Sequence, residues 1–302
     1  MKSVLVTGAN GGIGKDTARQ IALLPETEKV YLACRNPQRA EAAKKDLEAA
    51  TGRNIFEMVI MDVSDPDSVK KAVAELTGPI EGLVMNAGGM GGKDPSRLTK
   101  HGVHQMMATN VLGHVVLLEQ LLEKGLLTKA AVYAGTEAAR GVAMMGMAKP
   151  KLKSFSVDEF TSIIDASFWK KYDPMAAYGY VKLVGTMWMS SLARNYPNVR
   201  LVTMSPGGTA GTDVMSDLPP FMKFFFENIA MKIMPAMGMF HPLETGAKRF
   251  VDALHHPMYK TGGFYASKRN VTGTIVDQTS HYPELSNPQY QNNARQALLR
   301  FL

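Results

Sequence analysis

Hydrophobic residues in this chain fall into short unbroken runs, separated by longer stretches in which they recur every three or four positions. The runs are SVLVTG (3–8), KVYLAC (29–34), NIFEMVIMDV (54–63), GLVMNAG (82–88), AAVYAG (130–135) and VRLVTMSPG (199–207). Between them lie helix-like patterns such as GKDTARQIALL (14–24), PQRAEAAKKDLEAA (37–50), DPDSVKKAVAEL (65–76) and the long segment 98–124. Strands that are apolar throughout, alternating with helices, predict a parallel sheet covered on both faces. That is a doubly wound α/β fold, in which ligands bind outside the carboxyl ends of the strands. The residues that end each strand are therefore the ones to inspect.

The first strand ends in TGANGGIG (7–14), directly before a helix pattern. Gly8, Gly12 and Gly14 permit a tight turn and close backbone approach, and the helix N-terminus offers free N–H groups to a phosphate. In that place the glycine pattern predicts a nucleotide site, with Asn10 and Ile13 in the same turn; the alternative is a mere tight turn. The second strand ends in Cys34, Arg35 and Asn36, with no Asp or Glu where a ribose 2′-hydroxyl would be held. An uncharged residue and an arginine suit a 2′-phosphate, so NADP(H) is expected rather than NAD. Arg39 reads as a solvated helix residue.

The stretch AAYGYVKLVG (176–185) places Tyr178 and Lys182 four apart on one helix face, whereas Tyr180 points about 200° away from Tyr178. A cation beside a phenol favours phenolate, which suits a tyrosine that exchanges a proton. With 10 tyrosines and 22 lysines in the chain, chance alone supplies about 0.7 such spacings, so the pair needs its context.

Composition narrows the class. At 45% hydrophobic and 20% charged, the 302 residues match a soluble globular enzyme, and the chain reads as a single domain, 1–302. A lone cysteine, Cys34, excludes an internal disulfide and a multi-cysteine metal site. The first strand begins at Ser3, leaving no room for a secretory leader, so a cytoplasmic protein is expected. The net charge of +7 is scattered, its tightest cluster being KPKLK (149–153), and no nucleic-acid module is present. A solvated basic surface is the simpler reading.

Taken in order, the landmarks resemble the short-chain dehydrogenase/reductase family: TGANGGIG, Asp62 and Val63, the NAG of Asn86, Ala87 and Gly88, Thr109 with Asn110, Y-x-x-x-K at 178–182, and SPGG at 205–208. The resemblance covers nearly the whole chain. It implies that Asp62 accepts from the adenine amino group and that Asn86 to Gly88 pass beside the adenosine ribose. Pro206, Gly207 and Thr209 would border the nicotinamide. It further implies that Tyr178 donates a proton to the substrate oxygen, that Lys182 lowers the phenol pKa and holds the cofactor ribose, and that Asn110 maintains a water-linked proton path. Tyr180 would only pack. Each landmark also has a plainer reading, Asp62 as a turn cap and PGG as a loop breaker among them.

Two features depart from the family. Strand 5 usually ends in a Ser-Ser pair whose second serine polarises the carbonyl; Gly135 and Thr136 stand there instead. The Thr136 hydroxyl can donate the same bond within narrower geometry, or can simply cap a turn. Glu137 beside it reads as surface charge. The second departure is an insert at 140–174, in which Ser156 and Glu159 form a capping-box pattern that predicts a short helix. Carbonyl reductases and light-dependent protochlorophyllide reductases carry inserts in this place, and in the former the insert covers a face used for tetramerisation; a monomer is expected. Residues 209–242 are rich in Met and Phe and predict a lid over a large apolar ligand, with an amphipathic membrane-surface segment at 216–242 as the alternative. At 284–302, Asn287 and Pro288 predict the start of a docked C-terminal helix, in a region similar to protochlorophyllide reductases. The expected function is NADPH-dependent reduction of a bulky apolar carbonyl, or the reverse alcohol oxidation. The alternatives are a non-catalytic NADP(H) sensor and a reductase of a conjugated ring substrate.

Overall fold

Each apolar run becomes a strand in the computed structural model, which describes residues 1–210 and 240–302. The strands are β1 (Ser3–Thr7), β2 (Lys29–Cys34), β3 (Phe56–Ile60), β4 (Ile80–Met85), β5 (Leu127–Ala134), β6 (Arg200–Met204), β7 (Phe264–Ser267) and β8 (Ile275–Asp277). They form one sheet in the order β3-β2-β1-β4-β5-β6-β7-β8. All neighbours are parallel except the last pair, where β8 runs antiparallel to β7. The chain order reverses between β1 and β4, which makes the carboxyl ends of those two strands the expected ligand crevice.

The helices are α1 (Gly12–Ala22), α2 (Pro37–Thr51), α3 (Pro66–Ala74), α4 (Gln105–Met107), α5 (Gly113–Glu123), α6 (Val157–Ile164), α7 (Pro174–Asn195), α8 (Leu243–His255) and α9 (Pro288–Leu299). One apolar core lies between the sheet and α3, α5, α7 and α9, the other between the sheet and α1, α2 and α8. Coverage of both faces fails at one edge. Met58 and Ile60 of β3 are 40% and 45% exposed, because β3 is the outermost strand of the sheet. None of the described helices is long and apolar enough to cross a membrane.

The insert helix starts where its capping pattern places it. Ser156 Oγ accepts from Glu159 N at 3.2 Å, but the Glu159 carboxylate reaches further back than a simple box, accepting from the backbone N–H groups of Lys153, Ser154 and Phe155. Asn287 caps α9 by accepting from Gln289 N and Tyr290 N. That helix docks onto α7 and α6: buried Glu119 of α5 accepts from the Trp188 indole at 3.0 Å and from the Arg295 guanidinium at 2.6 Å. As a result α7 is buried almost all round from Val181 to Ala193.

Candidate active site

The glycine turn needs its glycines for space as well as conformation. Gly8 and Gly12 hold φ at +67° and +50°. A Cβ on Gly14 would lie 2.4 Å from the Gly8 carbonyl oxygen and 2.5 Å from Asn86 Nδ2, so α1 starts pressed against the β1 and β4 ends. Asn86 Nδ2 donates to Thr7 O, and Ala87 N donates to Thr7 Oγ1 at 2.9 Å, which ties the NAG turn to TGANGGIG. The cradle of backbone N–H groups fits a pyrophosphate, and Gly8, Asn10, Gly12, Ile13 and Gly14 are the residues that would hold it.

At the end of β2, Arg35 is 76% exposed along its side chain and lies 3.9 Å from Asp62. An exposed guanidinium at that strand end fits a 2′-phosphate. Asn36 and Asp62 carry structural duties that the sequence reading assigned to the cofactor. Asn36 Oδ1 caps α2 through Arg39 N, and Asp62 Oδ1 accepts from the N–H and hydroxyl of Ser64. The second oxygen of Asp62, Oδ2, is the one that faces the Arg35 guanidinium. Cys34 is buried, and burial pushes its thiol up to about 11.

Three predicted residues meet near Gly88. A π-helical turn at Ala108–Leu112 carries buried Asn110, whose amide nitrogen donates to Met106 O and Gly89 O while its side-chain oxygen accepts from Gly89 N. A Cβ on Gly88 would lie 2.5 Å from Asn110 Oδ1 and 3.6 Å from Lys182 Nζ. Lys182 is buried, donates to Ala134 O at 2.9 Å, and stands 5.7 Å from the centre of the Tyr178 ring. Tyr180 points elsewhere: its hydroxyl accepts from Lys151 N, and its ring packs on Phe168 of the insert. The glycine between the tyrosines matters, since a Cβ on Gly179 would lie 2.9 Å from Ala138 O. It lets the 3₁₀ turn Glu137–Arg140, capped by Thr136, pack closely on α7.

The electrostatics depart from expectation. Burial first, and the Glu137 carboxylate second, push the Tyr178 phenol up to about 12, so the chain without cofactor holds it protonated. Burial alone brings Lys182 down to about 7. The phenol is thus shifted upward, opposite to the expected acidification, and Lys182 Nζ is itself desolvated and turned toward Ala134 O. Thr136 caps the 3₁₀ turn by accepting from Ala138 N at 3.3 Å, and its hydroxyl donates to no described residue. Gly135 has no room for a serine, as a Cβ would lie 2.7 Å from the Thr203 methyl.

Glu137 corrects the surface-charge reading. It is 1% exposed, accepting from Ser205 Oγ at 2.6 Å and from Ser267 N at 2.9 Å. Sequence reasoning also missed a buried chain behind Asn110. Tyr133 OH donates to Asn110 O at 3.1 Å, and His114 links the same carbonyl to Thr7 Oγ1. Burial holds His114 at about 4, hence neutral; a carbonyl only accepts, so Nδ1 carries the proton and Nε2 accepts from Thr7. The Asn110–His114 spacing, four apart on one helix face, was the available signal. Pro206, Gly207 and Thr209 form the turn after β6, with Thr209 Oγ1 closing on the carbonyls of Pro206 and Gly207. Of the expected lid at 209–242, residues 211–239 lie outside the described residues, as does most of the alternative membrane segment at 216–242.

Comparison with known proteins bears on the family and the fold. A family model described as short chain dehydrogenase matches residues 2–139. A short-chain dehydrogenase/reductase of Armillaria gallica is 30% identical over 229 residues, 73% of this chain and 69% of that protein. Human retinol dehydrogenase 11 is 36% identical over 126 residues, 41% of this chain and 38% of its own length. The alignments to the human and mouse retinol dehydrogenases thus span about two fifths of those proteins. Among solved structures, an L-sorbose reductase of Gluconobacter frateurii complexed with NADPH and L-sorbose superposes with TM-score 0.64 at 18% identity, over 90% of this chain and 97% of that one. An NADPH-bound carbonyl reductase from chicken fatty liver superposes with TM-score 0.60 at 19% identity, over 91% and 94% of the two chains. At these identities the structures support the fold.

Proposed function

As the chain belongs to the short-chain dehydrogenase/reductase family, we propose that it is an NADPH-dependent reductase of a bulky apolar carbonyl, or the corresponding alcohol dehydrogenase in reverse. The carrying observation is the meeting of Asn110, Gly88, Lys182 and Tyr178 at the carboxyl edge of the sheet, with the Thr136 turn packed against the same helix. When bound, the nicotinamide supplies hydride to the carbonyl carbon. Tyr178, held protonated, gives its proton to the carbonyl oxygen, and the Thr136 hydroxyl donates a hydrogen bond to that oxygen. Lys182, brought down to about 7 by burial, offers a cation for the cofactor ribose and for the phenolate left behind. Asn110 is held rigid by its three side-chain hydrogen bonds and keeps the NAG turn in place.

The test is turnover of a panel of small, aromatic and long-chain carbonyls with NADPH and NADH. Turnover that prefers NADPH supports the reading; tight NADPH binding without turnover of any carbonyl defeats it in favour of a sensor. Arg35→Ala is expected to raise KM for NADPH by roughly tenfold and leave NADH unaffected, since one charge-assisted contact at an exposed site is lost. Equal effects on both cofactors would remove Arg35 from the 2′-phosphate site. We also propose a monomer, because α6 and α9 cover the outer side of α7. Sedimentation equilibrium should return the chain mass of 32.9 kDa; a multiple of it would refute the monomer.

A further inference from the structure

A buried carboxylate placed one residue after Thr136 needs an explanation. Desolvating a charge costs several kcal/mol, and a buried ion pair is weak evidence for stability. Nor does Glu137 make a direct hydrogen bond to its opposite charge. The Arg249 guanidinium stands 3.8 Å away and spends its protons on Ser267 Oγ, Ser205 O and Gly273 O. The groups that Glu137 does bind come from the two strands beyond β5. Its Oε2 takes the Ser205 hydroxyl at the end of β6, and its Oε1 takes Ser267 N at the end of β7. Ser205 Oγ accepts in turn from Gly207 N at 3.0 Å, so the carboxylate grips the turn from inside.

That turn is held tightly on its other sides. Gly207 sits at φ +76°, and a Cβ there would lie 2.6 Å from Arg249 Nη1 and 2.7 Å from His241 Nε2. Gly208 N donates to Val271 O at 2.6 Å, and His241 N donates to Gly208 O. A loop needing only stability could be packed with apolar side chains; this one is fixed by directional bonds on several sides, and the Glu137 carboxylate is the one that also ties it to the Thr136 turn and to β7.

We propose that Glu137 is a positioning residue: its carboxylate locks the Ser205–Gly208 turn to the Thr136 turn, setting the spacing between the backbone that borders the nicotinamide and the hydroxyl that polarises the carbonyl. The role rests on the reductase reading above for its catalytic half and on cofactor binding alone for the other. Its charge also helps keep Tyr178 in its proton-donating form.

The test compares Glu137→Gln, Glu137→Asp and Ser205→Ala in the full chain loaded with NADPH. It reads the emission of the bound reduced nicotinamide, the Kd for NADPH, and kcat and KM for any carbonyl turned over. Glu137→Gln should lower the bound emission with Kd little changed, since the adenosine half is held elsewhere. It should also lower kcat roughly 100-fold, the scale of an ångström-sized misplacement, without raising the carbonyl KM. Ser205→Ala, which loses the bonds to Glu137 and to Gly207 N but no charge, should move emission and kcat in the same direction by less. Glu137→Asp, too short to reach both partners, should recover part of the loss. If Glu137→Gln does not fold, Ser205→Ala carries the test. Emission and kcat at the wild-type level, with only a lower Tm, overturn the positioning role. Lost emission in the variants of a wild type that turns over no carbonyl upholds that role and defeats the reductase reading instead.

Discussion

Tyr178→Phe is expected to lower kcat/KM for carbonyl reduction by roughly 1,000-fold while NADPH binds as in the wild type, the middle of the range for losing a general acid. The substitution removes one oxygen and keeps the ring, so packing is nearly conserved. The hydroxyl makes no hydrogen bond to any described residue, which leaves its proton for a ligand. Stopped assays at several pH values, alongside NADPH titration, check the expectation. A variant within tenfold of wild type would place the proton donor elsewhere. The second outcome to read is pH. With the phenol near 12, the donor form persists through the neutral range, so the wild-type rate should not fall between pH 6 and pH 8 through loss of the tyrosine proton.

Gly113→Ala should be the most destabilising single methyl in the site region. A Cβ there would lie 1.7 Å from the Val63 carbonyl oxygen, backbone against backbone, with no flexible side chain to yield. Alanine gains about 1 kcal/mol of helix propensity over glycine. Relieving such an overlap costs more, about 3 kcal/mol or above at the upper end of overpacking losses. The net effect is a Tm lowered by about 3 °C or more for a chain of this size. Because Val63 follows Asp62, the displaced loop should also weaken NADPH binding. Differential scanning calorimetry with and without NADPH reads both, and an unchanged or higher Tm would show that α5 can shift freely.

Residues acting with near sequence neighbours were legible; those acting with distant ones were not. The β-α alternation, the glycine turn, the Ser156 and Asn287 caps, and the opposite facing of Tyr178 and Tyr180 all follow from spacings under eight residues. The burial of Glu137 depends on Ser205, Ser267 and Arg249, each more than 60 positions away, and a lone GTE gives no hint of them. Position within the sheet was equally hidden. β3 and β8 have strand composition, but only the strand order makes one an exposed edge and the other an antiparallel closing strand. Asn36 and Asp62 teach a third lesson, since a residue type suited to a ligand is as well suited to capping the turn it sits in.

The insert and the C-terminal helix grip each other. Phe155, at φ +52°, stacks on Tyr290 with ring centres 4.3 Å apart, and its carbonyl accepts from Asn293. Arg300 reaches Asp158, while Arg194 of α7 binds Asn292 and Gln291. Segments separated by some 130 positions thus form one module with a shared seam. In chimaeras with relatives that lack this seam, transplanting either segment alone would strand half of it. Insert and tail therefore behave as one exchangeable cassette, to be inherited or engineered together.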